Sequence, residues 1–156
     1  MARRFLNKRD IENVINRVNK EVIEDVVGQF CVIYKIDSNN TQINMYGETA
    51  KGGKIYQPGV EIPCLIEAND FDFNTDEFGS DVEQSVEFRF FREKLIELNF
   101  RPEIGDVINW NFSYFEIHST NENNLIGGDV EENHDLIVST HMTRQTRLNI
   151  TDERRI

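Results

Sequence analysis

At 156 residues the chain can bury one real core and is too short for two domains of ordinary size. Hydrophobic residues make up 38% and charged residues 29%, with a formal net charge of −11, so part of the surface must rely on solvent or on a partner. No apolar run approaches the roughly eighteen residues of a membrane span, and the opening MARRFLNKRD lacks the apolar centre of a signal peptide, which together predict a soluble intracellular protein.

The charge is unevenly placed. Arg3, Arg4, Lys8, Arg9, Arg17 and Lys20 make the first twenty residues basic, and Arg144, Arg147, Arg154 and Arg155 make the tail basic. Between Lys54 and Arg89, and again between Arg101 and Arg144, there is no lysine or arginine. The pattern suits a subunit that docks basic ends on acidic neighbours, although a solvated face is the general explanation of a charge run.

Taken in chain order, residues 1–9 read as an extension, 10–143 as a single β-rich domain and 144–156 as a polar tail. Asp10 can cap a helix over 10–27, in which Ile11, Val14, Ile15, Val18, Val22, Ile23, Val26 and Val27 form an apolar stripe ending at Gly28. These residues are β-branched, so the helix is intrinsically weak and needs a surface to lie on. Phe30 to Ile36 reads as a strand, Asp37-Ser38-Asn39-Asn40 as a turn, and Thr41 to Tyr46 as its hairpin partner. The glycines of 47–53 imitate a phosphate-binding loop, but Lys54 is followed by Ile55 where Ser or Thr is required. Val60 to Glu67 is a strand interrupted by Pro63, hence at an edge or bulge.

Residues 69–83 read as an acidic, phenylalanine-rich loop. Asp70, Asp72, Asn74 and Asp76 imitate the start of a calcium loop, yet Thr75 stands where Gly is wanted and Asp81 where a bidentate Glu belongs. A segment that orders against a neighbouring subunit through Phe71, Phe73 and Phe78 fits better. Gln84 to Phe91 alternates as a strand, with Val86, Phe88 and Phe90 on one face, and Arg92 to Leu98 suits a short helix. Ser119 to Asn133 reads as a long polar loop, and Leu136 to about Thr143 as the last strand. Cys31 and Cys64 have no metal spacing and read as two buried free thiols.

Arg101 to His118 is the hairpin around which the rest is arranged. Pro102, Gly105 and Asp106 form a rigid corner; from about Asp106 the chain alternates through Trp110 to a turn at Asn111-Phe112-Ser113 and returns through Tyr114, Phe115 and Ile117. Trp110, Phe112, Tyr114 and Phe115 could stack nucleic-acid bases, but no basic residue accompanies them to follow a phosphate backbone, so they read as core. His118, His134 and His141 are scattered in sequence, and no nucleophile, general base or metal set emerges. The expectation is a non-enzymatic protein with no cofactor and no metal; His134 among Asp129, Glu131, Glu132 and Asp135 reads as a solvated acidic loop.

Over about 84–150, the order VEFRFFREKLIEL, RPEIGDVI, YFEI, an Asn/Gly-rich loop and HDLIVSTHMTRQTRLNI resembles the head-completion (neck or head-closure) proteins of contractile-tailed bacteriophages. The resemblance implies a structural subunit repeated in a ring at the head–tail junction of a virion and assembled in the host cytoplasm. Its implied partners are copies of itself, a portal-side connector protein, a tail terminator or tail-tube protein, and duplex DNA that passes without specific binding; no membrane is involved. The fold expected is α+β and mainly β, a small antiparallel barrel or sandwich-like domain with an N-terminal amphipathic helix, long loops and a basic tail. On this reading Asp70, Asp72, Asp76, Phe71 and Phe73 are candidates for a channel-facing or closure loop, and Arg3, Arg4, Arg144, Arg147, Arg154 and Arg155 for the subunit interface. A tail-completion or baseplate component is the alternative of the same class, and a small nucleic-acid-binding β-barrel that of another.

Overall fold

A computed structural model of the chain describes residues 8–41, 53–76, 79–122, 125–126, 129–144, 148 and 150, with backbone alone at 8, 11–12, 15–16, 73–76, 79–82, 125–126 and 129–132. Its body is a mixed-order, wholly antiparallel sheet. The strands are β1 (Phe30–Tyr34), β2 (Val60–Pro63), β3 (Leu65–Ala68), β4 (Asp72–Asp76), β5 (Gly79–Glu83), β6 (Ser85–Phe91), β7 (Val107–Trp110), β8 (Ser113–Asn121), β9 (Leu125–Ile126), β10 (Asp129–Asn133) and β11 (Asp135–Thr143). Seven of them join in the order β2-β1-β7-β8-β11-β6-β3, while β4-β5 and β9-β10 form separate two-stranded ribbons.

One residue decides the shape of the sheet. Cys64 alone separates β2 from β3, yet these strands occupy opposite ends of the seven-strand order. The sheet must therefore curl until its two edges face each other, and because they share no ladder it stays open and sandwich-like rather than a closed barrel. Pro63 sits at the last position of edge strand β2, where a missing donor is tolerated. Inside the curl pack Cys31, Ile33, Ile62, Cys64, Val86, Phe88, Phe90, Ile108, Phe115, Ile117, Leu136 and Val138. The predicted alternation of Val86, Phe88 and Phe90 is seen in β6, paired residue for residue with β11 from Phe91↔Asp135 to Ser85↔His141. Both cysteines are buried free thiols.

The helical segment α1 covers residues 8–27 and alternates α-turns (Lys8–Ile11, Asn19–Glu21) with π-turns (Glu12–Val18, Val22–Val27). It ends on Gly28 at φ 58°, whose N–H donates to the Ile23 carbonyl at 3.2 Å. Val14, Val18, Val22 and Val26 recur every fourth residue. In an α-helix of 3.6 residues per turn such a row drifts around the axis, and the wider π-turns drift it back, so the mixture keeps the four valines nearly in line. Among the described side chains the expected burial of this stripe is confined to Ile23, while Val14, Val18, Val22, Val26 and Val27 stay exposed; the side chains of Ile11 and Ile15 lie outside the described residues. Among the described residues, α1 is held by Ile23 together with ion pairs to the short helix α2 (Arg92–Glu97), namely Lys20 to Glu97 at 2.6 Å and Glu24 to Lys94 at 3.1 Å.

Two segments expected to be loops are ribbons instead. The acidic stretch 69–83 pairs with itself, from Asp72↔Glu83 to Asp76↔Gly79, and 119–133 continues β8 to Asn121 before forming the β9-β10 pair. Their polar composition disguised strands that are held by cross-strand pairing. The proposed hairpin partner at 41–46 falls, apart from Thr41, outside the described residues; those residues show β1 pairing with β2 and β7.

Candidate functional site

The acidic ribbon grows out of the sheet as a continuation of the β3-β6 ladder. A polar clasp joins the two: Asn69 donates its backbone N–H to the Ser85 carbonyl at 3.1 Å and its side-chain amide to the Ser85 hydroxyl at 2.8 Å, and Gln84 donates to the Asn69 carbonyl at 3.1 Å. Asp70, Phe71 and Asp72 are exposed just beyond the clasp, lining with Glu83 and His141 an open cleft of about 420 Å³. The side chains of Phe73 and Asp76 lie outside the described residues. The backbone at 72–76 is a paired strand, unlike the wrapped loop of the calcium motif that this stretch imitates in sequence. Among the described residues no group of three or more His, Cys, Asp or Glu side chains is placed to hold a metal.

Of the basic candidates for an interface, Arg144 is exposed just past the end of β11. Arg3, Arg4, Arg147, Arg154 and Arg155 lie outside the described residues, as does most of the glycine-rich 47–53.

The β7-β8 hairpin forms where the sequence places it and differs at its tip. Trp110 pairs with Ser113, so the turn is only two residues long. Asn111 and Phe112 have φ of 49° and 62°, the signature of the type I′ turn that matches strand twist. Asparagine tolerates that backbone; a bulky side chain does so at a cost of order 1–3 kcal/mol. Phe112 is 99% exposed, which corrects its assignment to the core. Trp110 does meet the core, half-buried with its ring edge-on to Phe88 at 6.3 Å and tilted on Phe115 at 6.2 Å. Its ring is thereby used in packing, which leaves no row of free aromatic faces for bases to stack on.

The structure also joins two histidines that sequence spacing keeps apart. An extra residue, His118, is accommodated in β8 between the pairs Ile117↔Thr140 and Ser119↔Ser139, and its ring lies 5.7 Å from that of His141. Such a bulge re-aims a side chain, and nothing in the local sequence signals it.

No known protein family's sequence profile matches the chain, and no curated protein matches it. Among solved structures, a chain of one titled "Virion of native gene transfer agent (GTA) particle" is similar at 14% identity and a TM-score of 0.48, over 74% of this chain and 94% of that one. The superposition is loose, and no residue here takes a role from it.

Proposed function

We propose that this chain is a structural subunit of a phage virion, and within it a neck protein whose copies form a ring that closes the DNA-filled head and joins it to the tail. The observation that carries the reading is the uncovered apolar surface on a chain whose described residues already hold a buried core: Val14, Val18, Val22 and Val26 along one helix and Phe112 at one hairpin tip. An isolated soluble domain gains nothing from such surface, whereas a subunit completed by neighbours needs it. The sequence resemblance over 84–150 supplies the place in the particle. The acidic ribbon then has a role as a wall that repels duplex DNA, with copies of this chain, a portal-side connector and a tail terminator or tail-tube protein as partners. The protein does no catalysis on this reading.

Purified virions test it directly. Antibody labelling and mass spectrometry should find the protein in mature particles, at the head–tail junction, and particles assembled without it should leak DNA and lack tails. Tailed, DNA-filled particles that lack the protein would remove the neck assignment.

A further inference from the structure

We infer that Phe112 is the anchor of a head-to-tail contact between copies of this chain, seated in the cleft beside α2 of the next copy. The inference rests on the ring reading above and names the contact that would build the ring.

Three observations carry it. The first is the tip itself, where a phenylalanine occupies a left-handed backbone position at φ 62° and is 99% exposed. Glycine would relieve the backbone there without loss of any contact within the chain, so what the side chain offers lies outside it.

The second is a receptor of suitable size and chemistry. Leu95, Ile96, Phe100 and Leu136 line a cleft of about 310 Å³, and Ile96 is 68% exposed there. Four charged residues share the lining: Arg101 and Glu122 pair with each other at 3.0 Å, Arg92 donates to the Asn133 carbonyl at 3.5 Å, and Asp135 lies beside Leu136. The entering tip is Asn111-Phe112-Ser113, which brings no charge of its own, and its polar flanks can meet the polar part of the lining while Phe112 meets the apolar part.

The third is placement. The tip stands before Ser113 at the start of β8, and the cleft is reached at Glu122, one residue past its end at Asn121. Nine extended residues span about 30 Å, so knob and hole lie at opposite ends of one strand. A copy therefore cannot fill its own cleft, and two copies joined by one such contact keep one free tip and one free cleft. Repeated head to tail, that contact is heterologous and closes into a ring or runs on as a filament, whereas two reciprocal contacts would close a symmetric dimer, and the size of the species formed separates the two.

The experiment uses the full chain in sedimentation velocity over a range of concentrations. Wild-type protein should form species larger than a dimer, while Phe112→Asp and Ile96→Asp should each be monomeric. Mixed in equal amounts, the two variants should give a 1:1 dimer and nothing larger, because the single intact tip meets the single intact cleft. Phe112→Gly guards against misfolding: it should raise Tm by relieving the turn and still lose self-association. Wild-type oligomers that persist in Phe112→Asp would overturn the tip contact while leaving the ring reading in place, and so would normal self-association with tail joining alone impaired, which assigns the tip to a different protein. A wild-type chain that is monomeric in solution and gives no copy-to-copy cross-links in purified particles overturns both.

Discussion

The Asp106 carboxylate accepts the backbone N–H of Ile36 at 3.0 Å, although 70 residues separate the two in sequence. Its other oxygen accepts the N–H of Glu103 at 2.9 Å, three residues back, so one buried side chain closes the corner before β7 and fastens the end of β1 to it. Burial pushes this carboxyl above its usual range, opposed by the two backbone donors. Asp106→Ala should leave both part-buried N–H groups without that acceptor; water can reach the Glu103 N–H more readily than that of Ile36, so the total should stay at about 1–3 kcal/mol. Urea denaturation followed by tryptophan fluorescence measures the loss, and unchanged stability would show that water replaces the carboxylate.

Tyr56 gives the fold an alkaline limit. Desolvation foremost, then Glu116 and Asp106, raise its phenol from 10.0 to about 12. The unfolded chain thus releases this proton first, and stability contributed below pH 10 falls as the pH rises towards about 12. Tyr56→Phe should flatten the decline in Tm between those values. Identical alkaline profiles for the two proteins would assign the decline to other groups.

The helix α1 should detach before the sheet unfolds. The Lys20–Glu97 hydrogen bond raises the lysine and lowers the glutamic acid from their ordinary values. The glutamate contribution is present at neutral pH and lost as pH falls through its depressed value, and the lysine contribution is lost only above the ordinary lysine range. The pair is solvent-exposed, so its worth is small and screened by salt. Glu97→Gln, or high salt, should speed amide exchange over 19–27 while Tm stays nearly constant. Equal protection in α1 and in β6 would contradict a separable helix.

Val18 separates the demands of folding from those of assembly. The side chain is 49% exposed, so Val18→Asp should change the stability of the isolated chain by no more than about 0.5 kcal/mol, as for a surface position. Buried at an interface, the same carboxylate would be an uncompensated charge and should block incorporation into particles. Circular dichroism with thermal melting reads the first outcome and particle composition the second. A variant that incorporates normally leaves the valine stripe without a partner.

How much of this was legible in the sequence follows the range of each signal. Val86, Phe88 and Phe90 declare a strand through period-two alternation, and Gly28 declares a helix end through its backbone freedom, because both signals are local. Phe112 misleads for a related reason: it continues an apolar, aromatic series, but a two-residue turn removes it from the alternation and turns it outward. The stripe on α1 is visible from periodicity, and periodicity cannot say what covers it. Asp72 and Glu83 form strand partners because a neighbouring ladder extends through the Asn69–Ser85 clasp, and His118 meets His141 through a bulge; neither is encoded within a window of ten residues.

The acidic ribbon makes the proposed channel testable at named positions. Asp70 and Asp72 are exposed side by side with Phe71 beyond the clasp, and the 34 residues 55–88 contain no lysine or arginine to offset them. A wall that lets duplex DNA slide must not neutralise phosphates, because each phosphate neutralised releases counterions and adds roughly 0.9 to the salt slope of binding. Asp70→Lys with Asp72→Lys reverses the wall locally, and since both side chains face solvent the fold should be retained. If the ribbon faces the channel, particles carrying the double variant should assemble, keep their tails and eject DNA more slowly, with the delay shrinking as salt rises. Ejection at the wild-type rate at low salt would place the ribbon away from the DNA, and a delay independent of salt would point to steric obstruction instead of charge.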